Sequence, residues 1–316
     1  MWRRSTKQSG SSSRPERDVR DRASRLLWPV LGLPAIVWIV LFLLIPFYVV
    51  LCVAFGAVDP VFRTPIPIWN PLEWQLGQIS VVWSRLVGPD NFYLPAVLRT
   101  LLYVVIAVAS CLVIAFPVAY FTARHAGRYR GLVLALLIAP FWISYMMRML
   151  AWINLLQPDG IVTTIITLGG LIPLEINWLS GNPVTVVLGL IYGYVPYMIL
   201  PLFASLDRIS PSLLEAARDL GASGVSLLRR VIVPMSVPGI VAGSLLIALP
   251  MMGDYFTSDM LSKSPSTAMI GNLINLSIVS PGQGGQAGAL LLLVLVILLV
   301  PMVLYTRGNA RAQVRS

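Results

Sequence analysis

Lysine occurs only at Lys7 and Lys263, histidine only at His125 and cysteine only at Cys52 and Cys111. These shortages exclude several chemistries at once. A Walker-type phosphate loop needs glycine directly before its lysine; here Thr6 and Ser262 stand there, so the chain holds no such nucleotide site. Two isolated cysteines without C-x-x-C spacing supply neither a disulfide framework nor a zinc cluster. His125 stands in the arginine-rich turn RHAGRYR, the setting of a solvated loop residue, and no serine has the G-x-S-x-G context. No catalytic residue, metal ligand or cofactor-binding residue is therefore expected, and the chain reads as a non-enzyme.

Charge is scarce as well. Charged residues make up 11% of the chain, against about 25% in soluble domains, while 57% are hydrophobic and the mean hydropathy is +0.81. Such a chain belongs in a bilayer, whose core of about 30 Å takes roughly 20 apolar residues per helix. The charge-free intervals run Leu26 to Val58, Thr100 to Ala123, Gly131 to Met147, Ile176 to Leu206, Val231 to Gly253 and Ser264 to Thr306. They predict an all-α integral membrane protein with six transmembrane helices. The third interval is cut by Arg148 but its apolar pattern resumes to Leu156. In the sixth, the strongly apolar part starts near Ala287, after a loop at Ser280 to Gly288.

Basic residues mark the cytoplasmic side. They crowd the first 25 residues and recur at Arg124, Arg128 and Arg130, at Arg208, Arg218, Arg229 and Arg230, and at Arg307, Arg311 and Arg315, leaving Arg63, Arg85, Arg99, Arg148 and Lys263 elsewhere. Both termini are thus expected inside. This divides the chain into a cytoplasmic, disordered basic tail (1–25), a six-helix domain (26–306) and a cytoplasmic C-terminal tail (307–316). The domain includes an external segment (57–95) and a cytoplasmic loop (207–234). The first apolar run is too long for the h-region of a signal peptide and is expected to stay as the first span. The net charge of +10 follows from this topology and suits anionic headgroups. It is spread over four segments and forms no nucleic-acid stripe.

The loop at 207–234 is the one polar stretch patterned as a tool. Ser210 before Pro211, or Ser212 with Glu215 as a capping box, starts a helix. Leu213, Ala217 and Leu220 give that helix an apolar face, and Gly221 ends it in the left-handed conformation. A second helical stretch, about Ser223 to Val231, leads back to the membrane at Pro234. By composition alone the first helix either floats at the headgroups or enters a cleft of a partner.

EAARDLGASGVSLLRRVIVP, Glu215 to Pro234, resembles the EAA loop of permease subunits of ABC importers: EAA, three residues, Gly, nine residues, Ile, any residue, Leu-Pro. Glu215, Ala216, Ala217, Gly221 and Pro234 match in spacing; Val231 and Val233 replace Ile and Leu and stay apolar. FPVAYFTAR (Phe116 to Arg124), PFWISYMMRMLAW (Pro140 to Trp152), YGYVPYMILPLFASLD (Tyr192 to Asp207), GDYFTSDML (Gly253 to Leu261) and MIGNLI (Met269 to Ile274) resemble the spermidine/putrescine-type branch. The resemblance implies a type I importer in the inner membrane. Its parts are this permease, a second and related permease subunit, two ATP-binding cassette ATPases that bind ATP and magnesium, and an external solute-binding protein. The helix at Glu215 would couple to an ATPase, and the solute would be a polyamine. A permease for another small solute, a secondary transporter and a membrane scaffold are the rival readings. No internal repeat supports the second rival, and the third leaves the EAA spacing unexplained.

Charges within spans are costly and mark pathways or pairs. Asp254, with Tyr255, Trp142 and Tyr145, is a candidate wall for a polycation, because aromatic faces attract ammonium groups. It reads equally as an interfacial carboxylate or a partner of Arg148. Arg148 reads as a residue of the outer gate or a structural tie. Glu175 and the segment 57–95 are candidate contacts for the binding protein. The alternatives are a solvated charge for Glu175 and membrane anchoring by Trp69, Trp74 and Trp83 for the segment.

Overall fold

The computed structural model describes residues 32–89, 91–168 and 177–314; the N-terminal tail and Glu175 lie outside them. The first apolar interval forms α1 (Gly32–Ala54). A hairpin of β1 (Ala57–Val58) and β2 (Pro65–Ile66) and an amphipathic helix α2 (Gly77–Val87) follow. Then come α3 (Leu94–Arg124), α4 (Arg130–Ile138), α5 (Tyr145–Leu156), α6 (Ile161–Leu168), α7 (Pro183–Asp207) and α8 (Pro211–Asp219). The chain ends with α9 (Gly224–Met252), α10 (Phe256–Leu261), α11 (Ile270–Val279) and α12 (Gly284–Val314).

Among the described residues, α1, α3, α7, α9 and α12 are long and apolar enough to cross a bilayer. A sixth crossing requires the 83° bent pair Gly127–Trp142 and Tyr145–Ile165 to count as one. The third apolar interval is therefore two helices meeting at a sharp bend, the form of a broken span or of a re-entrant loop. Pro140 has no N–H for the carbonyl of Leu136, a 3-10 turn follows at Ala139–Trp142, and Ile143 and Ser144 are extended (ψ 134° and 139°) before α5 starts. The sixth interval is likewise subdivided into α11 and α12. The loop expected at Ser280 to Gly288 is shorter, because α12 already begins at Gly284.

The helix after the cytoplasmic turn also corrects expectation. It does not re-enter at Pro234 as a new element but runs unbroken from Gly224 to Met252. Pro234 cannot donate to the carbonyl of Arg230, and its ring would strike it. The turn widens instead, so that the Val233 N–H reaches the carbonyl of Leu228, five residues back.

The core lies where α3, α7 and α9 meet. Ala107, Cys111, Ala115 and Ala119 are fully buried at four-residue spacing along α3, a small-residue stripe that lets α7 lie close, with Val186, Leu190 and Met198 opposite. α9 approaches α7 through Gly239 and Gly243: a Cβ on Gly239 would stand 2.4 Å from Ser205 Cβ and 2.8 Å from the Pro201 carbonyl oxygen. α1 is mostly exposed along its length and is buried only at its end, at Cys52 and Ala54, where Ala54 meets Gly288 of α12.

In the external segment, Trp74 stacks on Phe55 (4.6 Å between centroids) and donates Nε1–H to the Ile68 carbonyl at 2.9 Å. It is a packing residue, whereas Trp69 and Trp83 are exposed. Replacing Gly239 by Val should overpack the α7–α9 contact by about 1–3 kcal/mol and lower the melting temperature followed by tryptophan fluorescence. An unchanged transition would show that the contact is loose.

Candidate functional site

Two polar features are set into this apolar frame, one beyond the C-terminal end of α7 and one against its middle, at Tyr194. The first is α8. Its start is set by Ser210 (ψ 138°) with Pro211 in the first turn, and Ser210 makes no side-chain cap. The Ser212 hydroxyl turns to Ser210 Oγ (3.3 Å) and away from the capping box expected with Glu215. At its end, Gly221 adopts φ +84°. Its N–H bonds to the Arg218 carbonyl (2.8 Å) while the Ala222 N–H reaches back to that of Ala217 (3.0 Å), which is a Schellman termination. A side chain at 221 would strain this turn.

The face that α8 buries is Leu214, packed with Leu227 of α9 and, half-buried, Ala217. Of the apolar face read as Leu213, Ala217 and Leu220, Ala217 is half-buried while Leu213 and Leu220 are exposed, Leu220 to 89%. Glu215 and Ala216 are exposed beside it. Pro234 sits about three turns inside α9 and carries the helix onward.

The second feature surrounds Asp254, which follows α9 and is 8% exposed. Its Oδ1 accepts the Thr257 N–H (2.9 Å), capping the start of α10, and its Oδ2 accepts the Thr257 hydroxyl (2.7 Å). The hydroxyls of Tyr145 (3.2 Å) and Tyr194 (3.4 Å) point at the same Oδ2. Tyr145 is also 2.5 Å from Thr257 Oγ1, so its hydroxyl lies within hydrogen-bond distance of both. A buried carboxylate is tolerable only with such donors. Tyr145 stands in the space left by Gly193, whose Cβ would fall 2.7 Å from the ring's Cε2.

Arg148 lies on the ring side of Tyr145. It is 6% exposed, and its guanidinium carbon is 4.3 Å from the ring centre of Phe141, 5.2 Å from that of Tyr145 and 6.0 Å from that of Tyr192. Its Nε and Nη1 have no hydrogen-bond partner. The pairing with Asp254 weighed from sequence does not form: among the described residues the ion pair is Arg130 with Asp207. Aromatic faces compensate the arginine instead.

Of the residues proposed from sequence, Asp254, Tyr145 and Arg148 come together. Trp142 is 90% exposed, and Tyr255 is exposed with its ring against Phe256. Thr257, Tyr194, Phe141 and Tyr192 complete the cluster without having been singled out for it. The spacing Asp254-x-x-Thr257 was a readable capping signal, whereas the tyrosines resembled ordinary interfacial belt residues. A cavity of about 790 Å³ lies on the other side of α10, lined by Arg99, Asp259, Lys263 and Asn272 among others. It does not include Asp254.

Residues 80–313 match the family described as binding-protein-dependent transport system inner membrane component. The spermidine/putrescine transport system permease protein PotB of Salmonella typhimurium (strain SL1344) is 37% identical over 198 residues, 63% of this chain and 68% of the relative. The PotB protein of Haemophilus influenzae is 34% identical over 239 residues, 75% and 78% of the two chains. Among solved structures, a chain of a bacterial alginate ABC transporter bound to its periplasmic protein aligns with a TM-score of 0.65 at 18% identity, covering 93% of this chain and 97% of that one. A chain of the MetNI methionine ABC transporter aligns at 0.52 and 16% identity, covering 71% and 96%. These two likenesses concern the fold.

Asp254→Ala strips the Thr257 N–H of its acceptor and should destabilise the protein by about 1–3 kcal/mol, while Asp254→Asn keeps an acceptor oxygen. Thermal unfolding should rank Ala below Asn, and equal transitions would remove the capping role.

Proposed function

The chain belongs to the binding-protein-dependent transport system inner membrane components, and from that membership we propose that it is the permease subunit of an ATP-driven importer of polyamines. Membership makes it a transport component and not an enzyme, a multi-pass protein of the inner membrane, and part of an ABC importer with ATPase and binding-protein partners. The finer assembly is our reading: a second, distinct permease subunit, two ATPases that hold ATP and magnesium, and an external solute-binding protein. Both termini and α8 are placed on the cytoplasmic side, on the distribution of arginine.

The observation that carries the coupling role is the surface of α8. Glu215, Ala216 and the apolar Leu220 project from a helix whose other face is locked to α9 through Leu214 and Leu227. An ATPase that takes hold of that surface on closing around ATP would move the helix as a lever, and a rigid-body displacement of the attached spans would alternate access. Glu215, Ala216, Ala217, Gly221 and Pro234 are assigned to that coupling.

The polyamine reading draws on the names of the relatives and on the buried carboxylate. An ammonium group approaching Asp254 would replace the long hydroxyl contacts of Tyr145 and Tyr194 with an ion pair while the tyrosine faces stay beside it. Arg148 at the other face of Tyr145 keeps the site from being simply acidic. Its role is to hold the rings of Phe141, Tyr145 and Tyr192 as a unit, with Trp142 and Tyr255 at the margins of the path.

The test is spermidine and putrescine uptake into proteoliposomes holding the complete complex, with a no-ATP control. Wild type should show saturable, ATP-dependent uptake. Glu215→Ala and Asp254→Asn should each lose at least about tenfold, the scale of a lost charged interaction, and only Glu215→Ala should also lose stimulated ATP hydrolysis. Absence of polyamine uptake, with hydrolysis still stimulated by the binding protein loaded with another solute, would overturn the polyamine reading and leave an importer of that other solute.

A further inference from the structure

The chain itself joins α8 to α7, through Ile209 and Ser210, and to α9, through the turn at Gly221. α3 has no such connection, yet it packs along α7 and its last turn reaches the root of α8. There, Arg124 Nη2 donates to the carbonyl oxygens of Leu206 and Ile209, at 2.7 Å each. These acceptors lie where α7 ends. Its final carbonyls have no partner within the helix, and the helix dipole favours a cation there. The Nε of Arg124 is buried without a partner, so the polar attachment of this guanidinium runs to the end of α7.

Arg130, at the start of α4, sets Nη1 3.4 Å from the Asp207 carboxylate. That exposed pair contributes little energy alone, but it braces the same helix end from outside. At its opposite end α3 is tied again. Arg99 Nη1 donates to the carbonyls of Pro265 (3.1 Å) and Ala268 (2.9 Å), and the Ile270 N–H donates to Thr100 Oγ1 (2.8 Å). Pro265 and Ala268 lie between α10 and α11 and Ile270 opens α11, and α10 carries Thr257, a ligand of the Asp254 carboxylate.

We infer that Arg124 is the positioning residue that makes α3 travel with α8, so that α3 acts as a rod carrying displacement from the cytoplasmic helix to the segment flanking Asp254. The inference rests on the reading of α8 as the helix an ATPase moves. When α8 shifts, Leu206 and Ile209 shift with it. Two charge-assisted bonds from the single Nη2 of this guanidinium hold α3 to both carbonyls. α3 spans about 46 Å at 1.5 Å per residue, which is enough to reach both ends of the protein, and its outer end then pulls on α10 and α11 through Arg99 and Thr100.

The experiment uses the complete complex with Arg124→Gln and Arg124→Lys, measuring ATP hydrolysis and spermidine uptake on the same proteoliposomes. Spin labels at Ser212 on α8 and Phe121 on α3, both exposed, report their separation with and without ATP. In wild type the label distance should be the same in both nucleotide states. Arg124→Gln should keep hydrolysis within about twofold, lower spermidine moved per ATP about tenfold and make the distance depend on nucleotide. Arg124→Lys, a point charge in place of the fork, should fall between.

Unchanged transport per ATP in Arg124→Gln would overturn the inference. So would losses of uptake and hydrolysis in step with the amount of assembled complex, or a label distance that changes in wild type. If spermidine is not carried, the label distances decide alone. Glu215→Ala run in parallel separates the two ideas: normal assembly and normal stimulated hydrolysis in that variant would defeat the reading of α8, whatever Arg124 does.

Discussion

Tyr145 is seated so closely against α7 that a methyl group on Gly193 would stand 2.7 Å from its ring, and the buried polar cluster is arranged around that ring. Its hydroxyl faces Asp254 and Thr257, and its face lies beside the guanidinium of Arg148. One aromatic side chain thereby contacts both an acid and a base that do not pair with each other. In an apolar medium a direct pair would be hard to open. Held apart, each is compensated by weaker partners: hydroxyls and a backbone N–H for the carboxylate, three ring faces for the arginine. On the proposed reading of this cluster as part of a polyamine path, partners of that strength would let a charged solute be accepted and released.

α7 also makes close contacts along its length and at its C-terminal end. Gly189 and Gly193 receive Thr257, Leu261 and Tyr145. Lower down, Met198, Pro201 and Ser205 receive the glycines of α9, and the last carbonyls of α7 are taken by Arg124. Small residues are needed at these contacts because association in lipid rests on close packing and not on apolar transfer. The same closeness makes the bundle respond in blocks, since packed interfaces shift between discrete arrangements more readily than they deform. α8 buries Leu214 in the same cluster as Leu227 of α9, which on the proposed reading makes it a handle on a block.

Much of this was readable in the residues, and the failures have physical causes. The five long apolar helices, and a sixth where the bent pair counts as one span, follow from charge-free length, and the polar loop with its helix follows from its composition. The start of α8 at Pro211 and its end at Gly221 follow from capping chemistry. The bend in the third interval was missed because an apolar interval does not reveal direction, and the break depends on Pro140 together with extended Ile143 and Ser144. Continuity through Pro234 depends on a widened turn that no periodicity shows. The two G-x-x-x-G pairs, Gly189 with Gly193 and Gly239 with Gly243, were visible and would have identified the contact faces of α7 and α9. The partners of Asp254 come from three separate segments, and only Thr257 was within reach of a local pattern.

The central claim, that a separate ATPase grips α8 from the cytoplasm, is tested most directly by thiol labelling of Ala216→Cys in membrane vesicles, where the native Cys52 and Cys111 are buried and do not compete. A membrane-impermeant maleimide applied to the cytoplasmic face should label this position in vesicles lacking the ATPase and should be blocked once the ATPase is bound. Labelling from the external face, or equal labelling with and without the ATPase, would contradict the account.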